Sequence, residues 1–288
     1  MLKKRIIANL IVKNGVVVQS IGFSKYLPVG KPEIAIEFLN KWGIDEIVLT
    51  DISASVKGNG PDYDMIRKAS NKCFVPLTIG GGISKLEQIR ELMQCGADKI
   101  LLNQAALHKP EFITQAATVF GNQCVVISID SVETKNGYQV YDYLLKKSLG
   151  LKVDVYAQKV QKAGAGEILV NSVDRDGSYL GYDIDLLKKV CSVISIPVIA
   201  CGGAKNGKHI IELFRKTDVS AACASNFFHF VEHSVNITKA CIKNEYDVRI
   251  ETHADYVENN FDNYMRIIKK EDHVLQKMLY VKIEKEVI

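Results

Sequence analysis

Apolar runs of strand length alternate with helical patterns along most of the chain. In the helical segment Ser84–Met93, a serine in N-cap position and an acid three residues later precede apolar residues at helical spacing. Alternation of strands with helices is typical of a parallel sheet. The eight runs predicted as strands are Arg5–Val12, Glu46–Asp51, Phe74–Ile79, Lys99–Asn103, Cys124–Asp130, Glu167–Ser172, Ile196–Cys201 and Val219–Ala224.

Two stretches of the first half of the chain recur in the second half. Pro76–Gly82 (PLTIGGG) returns as Pro197–Gly203 (PVIACGG), and Gly43–Leu49 (GIDEIVL) returns as Gly164–Val170 (GAGEILV). Each copy joins an apolar strand to a glycine turn and then to a helix, which indicates one half-barrel present twice. The predicted fold class is α/β, a single (β/α)8 TIM barrel built from two half-barrel repeats.

The length of 288 residues exceeds that of one such barrel, which commonly takes roughly 250 residues. We expect the barrel to span residues 1–251 and a C-terminal helical extension, a linker plus an amphipathic helix, to span residues 252–288. Near the other end, the segment from Val12 to Lys31 is predicted to be a long first loop that acts as a mobile lid.

Composition narrows the class of protein. A formal net charge of +4 with 24% charged residues, and lysines scattered among acids, argue against nucleic-acid binding. No apolar run approaches the ~20 residues of a membrane span, so we expect no membrane partner. Seven cysteines form no C-x-x-C pair and several lie within apolar strands, so we expect a cytoplasmic protein without a metal or another cofactor.

Glycine and small polar residues follow four of the predicted strands, at the barrel end where βα loops build binding sites. Backbone N–H groups at such turns can enclose an anion, which predicts two phosphate cups on opposite sides of the barrel mouth. The simpler alternative is that the glycines only permit tight turns, but their repetition favours a ligand with a phosphate at each end. The first cup contains Gly81, Gly82 and Asn103, and the second contains Gly202, Gly203, Ala224 and Ser225.

Carboxylates at the strand ends are the candidates for acid–base chemistry. Asp130 ends the fifth predicted strand, between the cups. Asp176 and Gly177 follow the sixth and are candidates for phosphate or substrate binding. Ring closure requires one group that accepts a proton and one that delivers it on the opposite face of the substrate. Strand one carries Ile11 where strand five carries Asp130, so one member of such a pair is missing. A loop-capping role for Asp130 and a turn-stabilising role for Asp176 are the alternatives.

Four charged residues begin strands one, two, four and six, namely Arg5, Glu46, Lys99 and Glu167. Two cations and two anions are therefore expected to face one another at the N-terminal end of the barrel. Charges on that face usually contribute to stability, so a plug is one interpretation. The other interpretation is a gate to a narrow passage through the barrel.

Several motifs together resemble the cyclase subunit of imidazole glycerol phosphate synthase, a family of histidine biosynthesis. The resemblance covers about residues 1–250 and its motifs are specific. They are Lys4–Ala8 (KRIIA), Lys13–Gly15 (KNG), Gly80–Ile83 (GGGI), Ser172–Gly177 (SVDRDG), Cys201–Ala204 (CGGA) and Phe228–Phe230 (FHF).

The resemblance implies a partner and a role for each group of residues. In that family, a glutaminase subunit docks at the N-terminal face of the barrel, and ammonia enters through a gate that matches the four charged residues. Asp98 matches a residue at the glutaminase contact. At the mouth, ammonia meets a bis-phosphorylated nucleotide intermediate, and two aspartates close the imidazole ring. Asp130 matches one of these aspartates, and position 11 matches the other.

Departures from the family cluster at the mouth. Ile11 replaces the second aspartate, Gln19 replaces a first-loop lysine, Leu144–Leu145 replaces a serine–glycine pair, and Asn226 is an added residue. An isoleucine side chain cannot transfer a proton, and a leucine side chain cannot hydrogen-bond a phosphate. Because the four charges are retained, the pattern favours persistent ammonia delivery with relaxed demand for ring closure.

We therefore predict a cyclase-like synthase subunit of a glutamine amidotransferase complex, like divergent members that the chain resembles. It would channel ammonia from the glutaminase for amination or amidination of a sugar in surface-polysaccharide (lipopolysaccharide) biosynthesis. A phosphorylated small molecule, and an amidotransferase or ligase at the C-terminal face, would be its further partners. The alternative is an active cyclase, a lyase of histidine biosynthesis, so the loss at position 11 leaves open whether the chain is an enzyme.

Two other readings remain. A related sugar-phosphate isomerase uses the same half-barrel, but it needs an acid–base pair at strands one and five and no charged gate. Ile11 and the four charges therefore count against it. A scaffold that only holds the glutaminase differs from a conduit in one measurable respect, because it does not conduct ammonia.

Overall fold

The computed structural model describes residues 3–229 and 233–250, together with residues 268, 270–275 and 277. These residues contain twelve strands. In chain order they are β1 (Arg5–Lys13), β2 (Val16–Ile21), β3 (Lys25–Gly30), β4 (Glu46–Asp51), β5 (Leu77–Gly80), β6 (Lys99–Leu102), β7 (Val125–Thr134), β8 (Gly137–Asp142), β9 (Lys147–Lys152), β10 (Glu167–Ser172), β11 (Val198–Cys201) and β12 (Ala221–Ala224).

Eight of these strands form a closed parallel barrel, which confirms the predicted (β/α)8 TIM barrel. Their order around the barrel is β1, β4, β5, β6, β7, β10, β11 and β12, and β12 pairs with β1. The strand that opens the second half, β7, lies beside β10 as β1 lies beside β4. The two halves therefore have the same internal order, as the sequence repeat predicts.

Helices connect the strands and cover the outside of the barrel. Their inward faces bury apolar side chains, such as Ile36 and Leu39 of the first helix, against the outer surface of the strands. In the described residues they are α1 (Pro32–Lys41), α2 (Ile52–Lys57), α3 (Tyr63–Ser70), α4 (Leu86–Gln94), α5 (Gln104–His108), α6 (Glu111–Phe120), α7 (Val153–Ala163), α8 (Ile184–Cys191) and α9 (Gly207–Lys216). Two further helices follow the last strand, namely α10 (Ser234–Ile242) and the short α11 (Asp272–Leu275).

Four strand starts and one helix start differ from the predictions. β7 begins one residue later than predicted, at Val125. β5 and β11 begin after Pro76 and Pro197, because proline has no N–H to donate to a neighbouring strand. β12 begins two residues later than predicted, at Ala221. Helix α4 begins at Leu86 rather than after an N-cap Ser84, and the side chain of Gln88, not an acid, accepts the hydrogen bond of Ser84 N at 2.8 Å.

The predicted long first loop contains two strands, which form an antiparallel hairpin with the end of β1. β2 pairs with β1 and with β3, and the turn between β1 and β2 is Asn14-Gly15, in which both residues have positive φ. A second hairpin, β8 and β9, extends β7 in the same way. Since β1 and β7 hold equivalent places in the two halves, the hairpins belong to the repeat.

Side chains that alternate along the strands fill the interior of the barrel. Along β1, Arg5, Ile7, Asn9 and Ile11 point inward from the N-terminal face to the mouth, as their pairing with the inward residues of β4 shows. An apolar cluster, each member at most 7% exposed, occupies the interior between the charged end and the mouth. Its members are Ile7, Val48, Leu101, Val126, Leu169, Ile199, Cys201, Ala221 and Cys223.

The end of the described barrel is tied to the N-terminal face. Asp45, directly before β4, accepts hydrogen bonds from the fully buried Lys239 at 2.5 Å, from Arg249 Nε at 3.0 Å and from Ile6 N at 2.8 Å. Lys4 forms a β-bridge with Val248. The chain therefore leaves the barrel on the side where the strands begin.

The prediction of a linker and an amphipathic helix falls largely outside the described residues, which from that region include residues 268, 270–275 and 277, with the short helix α11. None of the helices in the described ranges is long and apolar enough to cross a membrane. All seven cysteines are free thiols.

Candidate functional site

Asp130 lies at the mouth, on the inner face of β7, where the carboxyl is enclosed between two amides. Asn103 Nδ2 donates to Asp130 Oδ2 at 2.9 Å, and Asn171 Nδ2 lies 3.4 Å from Oδ1. Asp130 is only 5% exposed, and burial raises the pKa of its carboxyl to about 7. The hydrogen bonds from Asn103 and Asn171 act to lower this pKa, and the charges of Asp176 and Asp142 act to raise it by smaller amounts. A carboxyl with this pKa can accept or donate a proton near neutral pH.

Position 11 lies on β1, across the mouth from Asp130, and is occupied by the apolar side chain of Ile11. Ile11 is 7% exposed and pairs with Thr50 of β4. Position 11 therefore holds no group that could exchange a proton with a ligand opposite Asp130.

The glycines of the two cups are required by backbone packing. A Cβ on Gly81 (φ +110°) would lie 2.2 Å from the carbonyl oxygen of Asp51, and one on Gly203 (φ +91°) would lie 2.1 Å from that of Gly181. Gly202 has a similar but milder contact, 2.9 Å from Ser172 O. The turn-forming role is therefore real at these positions, and the glycines alone do not distinguish an anion site from a tight turn.

The second cup borders an open pocket at the ends of β11 and β12. Among the described residues, no acceptor is bonded to the N–H groups of Gly203 and Ser225, which leaves two backbone donors at the pocket. The pocket is lined by Asp176, Gly177, Tyr179, Cys201, Gly202, Gly203, Ala204, Ala224, Ser225, Asn226 and Phe227.

Asp176 fastens the first hairpin over the second cup. Its Oδ2 accepts hydrogen bonds from Ser20 Oγ at 2.6 Å and from Phe23 N at 3.1 Å. Asn226 adds a reciprocal pair with the backbone of Ser20, at 3.1 Å to its N and 2.6 Å to its O. Burial raises the pKa of Asp176 against these donors. Asn226 thus holds the hairpin through both the oxygen and the nitrogen of its side-chain amide.

At the first cup, one backbone donor is bonded to a side chain of the protein. Gly82 N donates to Ser55 Oγ at 3.2 Å. On the neighbouring hairpin, Leu144 N and Leu145 N both donate to Asp142 Oδ1, at 2.9 and 3.0 Å. Asp142 is fully buried. These backbone groups therefore point at a carboxylate and a hydroxyl of the chain itself.

A chain of hydrogen bonds joins Asp142 to the candidate acid. His108 Nε2 lies 3.0 Å from Asp142 Oδ2, and Gln104 Nε2 lies 3.3 Å from Asp142 Oδ1 and 3.2 Å from Asn103 Oδ1. Asn103 in turn bonds Asp130. Asn103 is therefore held by the protein on both sides of its amide.

Tyr143 extends into the mouth from the second hairpin. Its phenol interacts with Ser55 on the β4 side, and burial raises its pKa to about 12, with additional contributions from the nearby carboxylates of Asp130, Asp142 and Asp51. No motif in the sequence pointed to Tyr143, Asp142 or Ser55. The only signal was the replacement at Leu144–Leu145, which marked this hairpin as altered.

The four charges at the N-terminal face form one closed ring. Glu46 contacts Arg5 at 2.6 Å and Lys99 at 3.3 Å, and Glu167 contacts the same two cations, with Lys99 at 3.1 Å. Burial works to lower the pKa of Arg5, but the hydrogen bonds and charges of Glu167 and Glu46 outweigh it and hold the pKa above its usual value. With the apolar cluster above it, the ring closes this end of the interior in the conformation described.

Asp98 lies beside the ring, at the start of β6, on the exposed N-terminal surface. Its Oδ2 accepts a hydrogen bond from Leu77 N at 2.8 Å, which joins β6 to β5. The residue thus has a role within the fold in addition to its exposed position. Within the described ranges, no three His, Cys, Asp or Glu side chains are grouped as a metal site requires.

Fold and site together define a repeat-built (β/α)8 barrel with its candidate site at the C-terminal mouth. The sequence profile of the family described as "Histidine biosynthesis protein" matches residues 5–234. A protein of Vibrio vulnificus (strain YJ016), provisionally named imidazole glycerol phosphate synthase subunit hisF2, is 44% identical over 263 residues, covering 91% of this chain and 96% of the relative.

A second relative is the imidazole glycerol phosphate synthase subunit HisF of Clostridium botulinum (strain Okra / Type B1). It is 43% identical over 253 residues, which cover 87% of this chain and the whole of the relative. The chain therefore belongs to the histidine biosynthesis protein family and, within it, is of the HisF type.

Proposed function

We propose that this chain is a cyclase-like subunit that receives ammonia from a glutaminase at its N-terminal face and delivers it through the barrel to an acceptor at the mouth. The observation that carries the proposal is the contrast between the two ends of the barrel. The N-terminal face keeps a complete, closed charge ring, whereas the mouth has Ile11 opposite Asp130.

The ring supports a gate because it combines strong and weaker contacts. Arg5 holds both carboxylates closely, while the Lys99 contacts of 3.1 and 3.3 Å are the longest in the ring. Lysine is a flexible point charge with a long stem, so its departure would leave Arg5 to balance the two carboxylates. Ammonia passage requires such an opening, since the ring is closed in the structure.

Two buried polar atoms above the ring support an interior route for a small polar molecule. Asn9 Oδ1 and Thr50 Oγ1 are buried, and no hydrogen-bond partner for either is present among the described residues. Both side chains belong to the inward rows of β1 and β4, above the layer of Ile7 and Val48. Ammonia, with three N–H donors, is a ligand of suitable size and polarity for these acceptors.

The acceptor, in this proposal, is a sugar of surface-polysaccharide biosynthesis that a separate amidotransferase or ligase holds at the mouth. The rim of the mouth supports a partner there because its loops expose large apolar side chains. Leu144 is 41%, Leu145 55% and Leu180 71% exposed. In a complex reconstituted with the amidotransferase, Leu145→Glu and Leu180→Glu are expected to lower sugar amination without changing glutamine hydrolysis.

A kinetic experiment tests whether ring closure has been lost. The chain is mixed with the bis-phosphorylated histidine-pathway intermediate and an ammonium salt, and imidazole glycerol phosphate is measured. We expect turnover ~10²–10⁴-fold below that of a HisF enzyme assayed in parallel, because one member of the acid–base pair is missing. Turnover close to that of the HisF enzyme would reject a subunit that only delivers ammonia.

A second experiment separates a conduit from a scaffold. With the cognate glutaminase bound, the ammonia that escapes into solution is measured per glutamine hydrolysed for wild type, Lys99→Met and Lys216→Met. Lys216 forms only an exposed ion pair with Glu212, which makes it a matched control. We expect leakage to change for Lys99→Met alone, whereas a scaffold would give the same leakage for all three proteins.

An active cyclase is the second candidate function, and the state of Asp130 favours it. A carboxyl with a pKa of about 7 is suited to proton transfer at neutral pH, and it lies at the mouth between the two cups. The kinetic experiment above decides between the two candidates.

A further inference from the structure

Two cysteines lie side by side inside the barrel, at the ends of its last two strands. The register of β11 and β12 pairs Ile199 with Ala221, and both side chains belong to the apolar interior cluster. Because inward side chains recur at every second residue of a strand, the next inward pair is Cys201 and Cys223. Both cysteines are members of the same interior cluster. They are therefore direct neighbours on adjacent strands and on the same face.

The spacing of this pair suits a disulfide. Adjacent strands lie about 4.8 Å apart, and a disulfide bridges Cα atoms that are about 4.4–6.8 Å apart. The two thiols already interact with each other through a hydrogen bond. Both sulfurs are free in the structure, so Cys201 and Cys223 are in the reduced state there.

The surroundings of the two thiols differ. Cys201 is 7% exposed and lines the open pocket at the mouth, next to Gly202 and Gly203. Cys223 is fully buried and pairs with Ile7 on its other side. Burial raises the pKa of the Cys223 thiol well above its usual value, and Cys201 raises it further. A small oxidant that enters the pocket therefore meets Cys201 before Cys223.

We propose that Cys201 and Cys223 form a reversible redox pair that a peroxide oxidises to a disulfide. In the first step, the sulfur of Cys201 attacks hydrogen peroxide. An S–O bond forms, the O–O bond breaks, and the products are a sulfenic acid and one water. In the second step, the sulfur of Cys223 attacks the sulfenic sulfur. The S–S bond forms, the S–O bond breaks, and the released hydroxide takes the thiol proton and leaves as a second water.

The two thiols thereby lose two electrons, which the peroxide gains, and a dithiol reductant reverses the change. The disulfide would join the strand ends from which the turns of the second cup start, since Cys201 is the last residue of β11 and Cys223 lies one residue before the end of β12. Oxidation is then expected to restrain local opening of the mouth. This role is independent of where the ammonia comes from and of which molecule accepts it.

Peptide mapping tests the pair in the full chain. The protein is treated with hydrogen peroxide at about pH 8.5, near the usual pKa of a thiol, because the thiolate is the attacking form. Remaining thiols are blocked with N-ethylmaleimide in denaturant, and tryptic peptides are analysed by mass spectrometry without reduction. We expect peptide 190–205 linked to peptide 217–239, and dithiothreitol should release both.

Peptide 190–205 also contains Cys191, so the mapping is repeated with Cys191→Ser, which should give the same yield of the linked pair. The proposal would be overturned if Cys201 and Cys223 were recovered as blocked thiols while peroxide linked other cysteines. Loss of the linked pair in Cys191→Ser would overturn it as well.

Single variants test which sulfur reacts first, with dimedone as the trap for sulfenic acid. Cys223→Ser removes the second thiol, so labelling at Cys201 should rise at least about tenfold over wild type. Cys201→Ser should leave Cys223 unlabelled, because that thiol does not line the pocket. Cys95→Ser is the matched control, since Cys95 is buried outside the interior cluster, and it should behave as wild type. The alanine variants repeat the comparison without a hydroxyl in the interior. Equal labelling of the two single variants would overturn the assigned order.

Amide hydrogen exchange measures the effect on the mouth. We expect exchange at Gly203 and Ser225 to be at least about threefold slower in the oxidised than in the reduced protein, because the cross-link opposes local opening. Peroxide-treated Cys223→Ser forms no cross-link and should exchange as the reduced protein does. Unchanged exchange in a protein that carries the disulfide would show that the bond does not act on the mouth.

Discussion

Asn103 Nδ2 donates a hydrogen bond of 2.9 Å to Oδ2 of Asp130, a carboxyl that is almost completely buried. Burial raises the pKa of Asp130 to about 7, so the folded protein keeps this proton at pH values where the unfolded chain, with a carboxyl pKa of about 3.9, has lost it. The folded state therefore binds more protons between these values, and the free energy of unfolding falls as the pH rises through this window.

Asp130→Asn should remove this pH dependence, because an amide does not ionise. We expect wild type and variant to have similar free energies of unfolding near pH 4 and the variant to be more stable at pH 8, by up to roughly 4 kcal/mol. Urea unfolding at a series of pH values measures the difference. Parallel pH profiles for the two proteins would contradict the assigned pKa of Asp130.

Asp45 should be essential for stability, since it balances the fully buried Lys239 and also contacts Arg249. Asp45→Asn removes the carboxylate that Lys239 and Arg249 both contact, and we expect a loss of about 3–5 kcal/mol in the free energy of unfolding. Asp247→Asn provides the matched control. Asp247 makes only an exposed contact of 3.7 Å with Lys3, and its replacement should cost less than about 0.5 kcal/mol.

The charge ring should contribute to stability as well as to the proposed gate. Lys99→Met leaves the nearly buried carboxylates of Glu46 and Glu167 with Arg5 as their one remaining cation in the ring. We expect a loss of about 3 kcal/mol, measured by urea unfolding, against about 0.3–0.5 kcal/mol for the exposed pair removed in Lys216→Met. Equal costs for the two variants would show that the ring carboxylates are well solvated.

Gly203 of the second cup and Gly15 of the first hairpin turn both have positive φ, so Gly15 is a control for backbone packing at Gly203. Gly15→Ala meets no atom within 4 Å, so its cost should be limited to backbone strain of about 1–2 kcal/mol. Gly203→Ala adds an overlap with Gly181 O at 2.1 Å, and we expect it to cost more than about 3 kcal/mol. Thermal unfolding of both variants provides the comparison, and similar melting temperatures would show that the turn at Gly203 can relax.

The barrel could be predicted from the sequence because its signals are local and repeated. The duplicated glycine turns mark corresponding strand ends, and the repeat also places Glu46 and Glu167 at equivalent positions of β4 and β10. The cations of the ring do not follow the repeat, since Arg5 comes from β1 and Lys99 from β6. Their placement followed from the strand order and not from the duplication.

The mouth could be predicted only in part. Asp130 and the glycine turns lie at strand ends, so their position follows from the fold. The side-chain contacts near the first cup join residues far apart in sequence, such as Tyr143 with Ser55. The hydrophobic periodicity of the sequence predicts strands and helices but not such contacts. The first hairpin was missed for a different reason, because the Asn14-Gly15 turn signal was read as part of one long loop.

The attachment of Arg249 to the backbone of Gly43 and Ile44, before β4, has a practical consequence. A fluorophore or affinity tag joined just after Ile250 would be attached at the N-terminal face of the barrel, the face that carries Arg5 and Lys99. Such a label would report on a protein that binds the N-terminal face and would be a poor sensor for molecules that bind at the mouth.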